Sequence, residues 1–327
     1  MKAVWYEAFG AAEAVLTLGE LPDPAPGPGE VLVRLRASGV NPSDVKLRAG
    51  ARAGAVMAWP RIVPHSDGAG VIEAVGAGVD RGRIGERVWI WNGGWQRPFG
   101  TAAELIALPA EQAVRLPDRT AFAAGATLGI PAMTAWLAVF ADGPVDGRTV
   151  LVTGGAGAVG RYACQMARLG GARVIATVSS PEKAAHSTAA EWVNYREADV
   201  AQEVLEMTGG AGVDRIVEVD FAANQAAALA LVKPGGTIAA YASASEMRPR
   251  LEFYPFMFRS VTLRMILAYL IDPATRRRGE ARLADWLEAG ALDHAVCPAG
   301  GLENCVAAHR AVEAGAKLGT VVLEWGE

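Results

Sequence analysis

The densest run of chemistry-bearing residues is Gly155-Ala156-Gly157-Ala158-Val159-Gly160. This G-x-G-x-x-G run directly follows the apolar stretch Thr149-Val150-Leu151-Val152-Thr153 and opens a helical pattern over residues 159–169. In a strand–turn–helix setting each glycine has a task. Gly155 permits the tight turn, Gly157 lets backbone amides approach a pyrophosphate, and Gly160 lets helix and strand pack closely. The free N–H groups and the positive dipole end of the helix complete an anion site. The chemistry implied is binding of a dinucleotide.

Which dinucleotide is read at the end of the next strand, Arg173-Val174-Ile175-Ala176-Thr177-Val178. A carboxylate about 20 residues beyond the glycine loop accepts from a ribose 2′-hydroxyl in NAD enzymes. Here the strand runs into Ser179-Ser180, with Glu182 and Lys183 just beyond. Hydroxyls and a lysine would hold a 2′-phosphate that a carboxylate would repel, so NADPH is expected, with Glu182 the one nearby group that could favour NADH.

The elements that must position this loop follow from hydrophobic periodicity. Up to about residue 120 the chain reads as short strands and turns: Glu30-Val31-Leu32-Val33-Arg34-Leu35-Arg36 alternates, and 70–76 and 85–90 are further strands. Pro22, Pro24, Pro26 and Pro28 alternate with other residues ahead of the first of these strands, a spacing no helix survives. Residues 121–141 are uncharged and read as two buried half-length helices around a Gly129-Ile130-Pro131 break rather than as a membrane span. Beyond them strand and helix signals alternate through 213–219 and 236–241, which predicts a parallel sheet with helices on both faces. The tail closes with an apolar strand over 319–324. A doubly wound domain is therefore expected inside the sequence of a β-rich one built from both chain ends: 1–122 with 267–327, and 123–266.

Composition excludes several classes. With 327 residues, two domains are the default. A net charge of −4 and no basic stripe argue against nucleic acid as the main partner. The one basic cluster, Arg276-Arg277-Arg278, reads as a solvated helix start ahead of Leu283, Trp286 and Leu287. Three cysteines without a C-x-x-C pair point to a reducing cytoplasm, and the N-terminus lacks the apolar core of a signal peptide.

Further signposts carry a resemblance: Gly39-Val40-Asn41-Pro42-Ser43-Asp44, Ser66-Asp67-Gly68-Ala69-Gly70-Val71-Ile72-Glu73-Ala74-Val75-Gly76, Gly129-Ile130-Pro131-Ala132-Met133-Thr134-Ala135-Trp136, and the glycine loop followed by Ala163-Cys164-Gln165. In this order they make the chain resemble, over essentially its whole length, the zeta-crystallin type of quinone oxidoreductase in the medium-chain dehydrogenase/reductase superfamily. The resemblance implies an α/β protein with a GroES-like catalytic domain, a Rossmann cofactor domain, an active cleft between them, and a homodimer formed by edge pairing of the Rossmann sheets. It puts Asn41 and Thr134 near the nicotinamide and Ala156 to Val159 on the pyrophosphate. Ser179, Lys183 and Tyr195 would surround the 2′-phosphate, and Asn224, Tyr241-Ala242-Ser243 and Ile266-Leu267-Ala268 would line the nicotinamide side. Lys46 departs from the pattern, standing where relatives often carry tyrosine at the cofactor.

Zinc-dependent members of the superfamily use converging cysteine, histidine and a further cysteine or acidic ligand. Asn41 to Asp44 contains no cysteine, Ser66 stands where the histidine would be, and a four-cysteine lobe is absent. No zinc is expected. His65, one residue away, is read as a hydrogen-bonded structural histidine, with proton donor or substrate contact as the sharper alternative. Without a metal to stabilise an alkoxide, the chemistry left is hydride delivery to an acceptor that spreads charge, a quinone or α,β-unsaturated carbonyl. A tyrosine donor of the kind placed by enoyl-thioester reductases is missing from residues 51–64. Trp91 and Trp95, among flexible glycines, either stack a planar substrate or cover the domain core. Phe253, Tyr254, Phe256, Met257 and Phe258 read mainly as packing at a dimer edge or cleft rim. Two other readings stand beside this one: an enoyl-thioester or aliphatic enone reductase, and an NADPH-binding protein of low turnover with a structural or RNA-binding role.

Overall fold

Buried and half-buried side chains alternate along Glu30–Val40, and this strand forms the spine of a sheet. The computed structural model describes residues 1–51, 54–315 and 318–326, and the chain falls into two units, Met1–Ile130 with Glu280–Glu327, and Pro131–Gly279. In the first unit, among the described residues, the strand order is Val296–Pro298, Thr320–Glu324, Glu30–Val40, Asp67–Val75, Arg87–Ile90 and Ala113–Arg115, with Leu105–Pro109 also paired to Glu30–Val40. Thr320–Glu324 runs antiparallel to Glu30–Val40, Val321 opposite Val40, so both ends of the chain build one sheet. Val31, Val33, Leu35, Ile72, Val88, Ile90, Ile106 and Leu108 form one apolar cluster. A second holds Val4, Val40, Val45, Val63 and Val321 with Leu302, Ala308 and Val312, which brings the Cys305–Glu313 helix against the sheet.

In the second unit six strands are parallel, in the spatial order Glu191–Asn194, Arg173–Val178, Thr149–Val152, Val213–Glu218, Val232–Ala240, Thr262–Met265. Numbered within the unit this is 3-2-1-4-5-6, the doubly wound dinucleotide-binding order. All six strands end on one edge of the sheet, where the chain reverses into helices. The Ala158–Leu169 helix buries Gly160, Tyr162, Ala163, Cys164, Met166 and Ala167.

Two expectations are corrected. Residues 121–141 do not break at Pro131. Phe122–Gly125 is a short helix, a π-helical turn spans Leu128–Ala132 with Pro131 inside it, and Met133–Phe140 follows. Pro131 falls within the first turn of this helical run, where a backbone N–H has no partner to lose. Arg276 is not solvated: it is buried and its Nη2 donates to Ala268 O at 2.8 Å, while Arg277 and Arg278 stay exposed. Leu283, Trp286 and Leu287 form the buried face of that helix, as their spacing requires. Among the described residues no helix is long and apolar enough to cross a membrane.

Candidate active site

The glycine loop is closed by its own neighbours. Gly155 N donates to Thr177 O at 3.0 Å and Gly154 N to Thr177 Oγ1 at 3.1 Å. Thr153 Oγ1 accepts from Val219 N at 2.9 Å and donates to Val217 O at 3.2 Å. The loop is thus pinned to the strands on either side. The left-handed residue of the turn is Gly154, φ +63°, one position before the Gly155 expected to make it. A Cβ on Gly155 would sit 2.7 Å from Ala176 Cβ, so its task is close packing on the next strand. One on Gly160 would collide with Gly154 O, so helix and loop touch there. Gly157 is the extended residue just before the Ala158–Leu169 helix, and a Cβ there would meet only Gly154 O at 3.3 Å. This open backbone at a helix N-terminus fits a pyrophosphate.

The other expected cofactor residues stand at the ends of the remaining strands. Ser179 is buried just after Arg173–Val178, and Tyr195 follows Glu191–Asn194 with its N–H donating to Val178 O at 3.1 Å. Ser180 caps the Pro181–Ser187 helix, its Oγ accepting from Lys183 N at 3.4 Å, which sets Lys183 in the first turn beside Ser179. Glu182 shares that turn, exposed, its carboxyl held below the usual range by the Ser180 hydroxyl. Ser179, Lys183 and Tyr195 therefore stand at the ends of two paired strands, and the exposed Arg196 follows Tyr195 in the chain. Asn224 Nδ2 donates to Glu218 Oε1 at 2.8 Å, an oxygen that also accepts from Asp220 N at 2.5 Å. Burial pushes the Glu218 carboxyl above its usual range, against the donation from Asn224. Tyr241 N donates to Glu218 O at 3.1 Å, and Ala242 O accepts from Phe221 N at 3.0 Å. Ser243 Oγ donates to Glu246 O at 2.6 Å. Ile266 N donates to Ala240 O at 2.8 Å, and Ile266 and Leu267 border a cavity of about 340 Å³ with Arg264, Asp272 and Thr275. Thr134 is buried at the second position of Met133–Phe140.

In the first unit Asn41 precedes the Pro42–Arg48 helix, where Asp44 Oδ2 accepts from Asn41 N at 2.7 Å. The Asn41 side chain donates through Nδ2 to Asp67 Oδ2 at 2.9 Å, and Ile130 N donates to the same oxygen at 3.0 Å. Gly129 is required here because a Cβ would collide with Asp67 Oδ1. Burial raises the Asp67 carboxyl well above its usual range, partly offset by the Asn41 donor. Asp67 thus holds the Asn41 side chain and the Ile130 N–H together; in the sequence it figures only as part of a signpost, next to the expected ligand position Ser66. Lys46 is exposed on the Pro42–Arg48 helix, and Trp91 and Trp95 are half-buried. Of the aromatic group, Phe256 is buried against Phe221, but Phe253, Tyr254, Met257 and Phe258 are exposed, Phe258 at 80%, so packing within the chain explains only one of the five.

His65 is wholly buried. Its Nδ1 lies 2.8 Å from Ser38 Oγ and its Nε2 2.9 Å from His309 Nε2, with Cys305 Sγ 4.0 Å away. Burial, then the neighbouring His309, holds the His65 imidazole well below its usual pKa. Burial brings His309 down to about 3 and pushes the Cys305 thiol up to about 12. Both nitrogens of His65 are engaged inside the unit, which favours the structural reading of this residue over the proton donor. Sequence reasoning missed its partners, which lie 240 and 244 positions along the chain.

A zinc ion does not fit at Asn41 and Ser66. The Asn41 amide presents N–H toward Asp67, and a hydroxyl completes the pair, where zinc takes sulfur, imidazole or carboxylate.

The 3-2-1-4-5-6 sheet with its glycine loop, carried by a chain that also builds a β-rich unit, defines a medium-chain dehydrogenase/reductase. Residues 27–118 match the family model described as alcohol dehydrogenase GroES-like domain, and 158–288 the model described as zinc-binding dehydrogenase. The quinone oxidoreductase of Rattus norvegicus is 34% identical over 244 residues, 73% of this chain and 72% of that one. A solved NAD-dependent alcohol dehydrogenase matches with a TM-score of 0.89 at 31% identity, covering 100% of both chains. A mycobacterial protein solved in complex with NADPH matches with a TM-score of 0.87 at 30% identity, covering 99% of this chain and 100% of that one. The chain belongs to the quinone oxidoreductase family of the medium-chain dehydrogenases/reductases and is an oxidoreductase.

Proposed function

We propose that the protein is a zinc-independent, NADPH-dependent reductase that passes hydride to a quinone or a related α,β-unsaturated carbonyl. The observation that carries this reading is the set of groups at the strand ends of the parallel sheet. Gly157 brings a side-chain-free backbone to the N-terminus of the Ala158–Leu169 helix, and Ser179, Lys183 and Tyr195 bring hydroxyls and an ammonium to the ends of the two neighbouring strands, where Glu182 is exposed. That is the donor set for a 2′-phosphate. The NADPH complex of the mycobacterial relative agrees with it.

NADPH, when bound, supplies the hydride. The chain supplies position. The glycine loop and its helix hold the pyrophosphate, while Ser179, Lys183 and Tyr195 fix the adenosine end. Asn224, the 241–243 turn and the 266–268 segment orient the nicotinamide end. Asn41 and Thr134 serve as hydrogen-bonding groups at the nicotinamide and acceptor, with Asn41 held in one orientation by Asp67. A conjugated acceptor spreads the developing charge, so a hydrogen bond suffices where a simple ketone would call for a metal. Trp91, Trp95 and Lys46 are assigned to the acceptor side.

The exposed edge strand Thr262–Met265 and the exposed Phe253, Tyr254 and Phe258 are assigned to a homodimer formed through the sheet edges, because uncovered edges and apolar patches pair. A cytoplasmic protein without a nucleic-acid partner completes the proposal, in keeping with the net charge of −4.

The test is an acceptor panel. NADPH oxidation is followed with 1,2- and 1,4-quinones, aliphatic enones, an enoyl thioester and simple ketones, before and after prolonged dialysis against a zinc chelator. Turnover of quinones that survives dialysis is expected; turnover of ketones that dialysis abolishes would overturn the proposal.

A further inference from the structure

The hydrogen-bond network around His65 fixes where its proton sits. Thr101 Oγ1 donates its one hydrogen to Asp67 O at 2.6 Å. Ser38 Oγ lies 2.8 Å from Thr101 Oγ1, so Ser38 must be the donor of that pair. With its hydrogen spent, Ser38 Oγ can only accept from His65 Nδ1. His65 therefore carries its proton on Nδ1 and turns the Nε2 lone pair toward His309 Nε2, from which it accepts at 2.9 Å, and toward Cys305 Sγ at 4.0 Å. A metal ion there would replace that one hydrogen bond, the His309 proton moving to its Nδ1. Holding the outer ring N–H on an oxygen while the other nitrogen is left unprotonated is how proteins prepare a metal-ligating histidine.

Three further features concern the same point. Cys305 and His309 are four residues apart on the Cys305–Glu313 helix and so share one face. The ligand atoms of all three residues lie within 4.8 Å of one another, and all three are buried. The outer nitrogen of His309, Nδ1, is buried without a hydrogen-bond partner, so its ring is engaged only through the Nε2 that faces this space. His65 also holds a left-handed backbone, φ +77°, where glycine would be free of strain and an L-residue costs about 1–3 kcal/mol.

We propose that His65 Nε2, His309 Nε2 and Cys305 Sγ form a buried three-coordinate site for one thiophilic monovalent cation, Cu(I). The site is independent of hydride transfer and of the reading given above. Ligand bonds of about 2.0 Å to nitrogen and about 2.3 Å to sulfur set the ligand atoms about 3.5 Å apart, against 2.9 and 4.0 Å observed at His65 Nε2 and at most 4.8 Å for the remaining pair, a closure of about 1 Å that side-chain rotation supplies. Ligand number and softness select the ion. Coordination releases the thiol proton to solvent, and a monovalent ion on one thiolate is neutral overall, with no change in oxidation state. Around it Arg48 pairs with Glu313, and Asp44, which accepts from Asn41 N, lies toward Cys305. Structural zinc takes four ligands, and among the described residues the cluster of histidine, cysteine and acidic groups here has three.

The experiment uses the full-length protein, expressed with and without copper supplementation and purified anaerobically without a metal-affinity tag. It is titrated against a chromogenic Cu(I) chelator, with Zn(II) in a parallel arm and X-ray absorption at the copper edge. Wild type should withhold one equivalent of Cu(I) with a mixed nitrogen and sulfur shell. Cys297→Ser, whose thiol donates to Leu318 O and is not one of the three ligands, should do the same. Cys305→Ser and His309→Gln should lose that equivalent. Ser38→Ala, which removes no ligand, should weaken it about 10- to 100-fold, and circular dichroism on each variant reports whether it has folded. No withheld equivalent in wild type, an equivalent unchanged in folded Cys305→Ser, or preferential retention of zinc would overturn the proposal.

Discussion

The two units gather their polar groups in opposite ways. In the 131–279 unit six parallel strands end on one edge, and the groups there, Ser179, Lys183, Tyr195, Asn224 and Tyr241–Ser243, are held by local bonds: backbone ones at Tyr195 and Tyr241, and side-chain ones from Asn224 to Glu218 and from Ser243 to Glu246 O. In the other unit Ser38, Thr101, Asp67, Asn41, His65 and His309 are sealed into the core and bond one another. An open edge tolerates exchange of side chains at the cost of ligand affinity, whereas a sealed network resists it at the cost of stability, because each buried polar group left without a partner costs about 1–3 kcal/mol.

That contrast breaks first at the glycine loop, the one part of the open edge that is tightly packed. Gly160→Ala should have the largest effect, since its Cβ collides with backbone rather than a flexible side chain. A loss of about 3 kcal/mol in thermal or urea unfolding is expected, with cofactor binding abolished. Asn41→Ala should behave as a sealed-network change. It strips Asp67 Oδ2 of one of its two donors, so about 1–3 kcal/mol of stability should go, together with a fall in kcat. Ser179→Ala with Lys183→Ala should behave as an open-edge change, with stability within about 0.5 kcal/mol of wild type and KM for NADPH raised about 10- to 100-fold while KM for NADH moves little. The smallest effect sharpens the comparison through pH. Glu218 is the buried acid on the open edge, and burial raises its folded pKa above the ordinary 4.5. The protonated form is thus favoured by folding, so its contribution is full below about pH 4.5 and is lost as pH rises through the folded value. Glu218→Gln keeps an acceptor for Asn224 and carries no charge, so its stability relative to wild type should climb over that window and then level off in urea titrations at a series of pH values.

The same contrast explains what could be read from the residues beforehand. The Arg173–Val178 strand and the 159–169 helix lie where periodicity puts them, because parallel strands and their crossover helices carry strong local patterns. The glycine loop was legible for the same reason, although its left-handed turn falls on Gly154. Pro131 was read as a break because proline ends α-helices, and its place in the first turn of the run is what accommodates the ring. Arg276 was read as solvated because it stands in a run of three arginines; what buries it is a carbonyl eight residues earlier, which no local rule indicates. The sealed network was the least legible. Its members come from residues 38, 65, 101 and 309, and no spacing rule joins positions that far apart.

The most direct test of the account is steady-state NADPH oxidation with a 1,4-quinone, run beside NADH at equal concentration. The account predicts turnover with kcat/KM at least about tenfold higher for NADPH, a preference that Ser179→Ala with Lys183→Ala erases, as the loss of one charge-assisted contact requires. Equal use of both cofactors, or a preference that survives that double change, would contradict it.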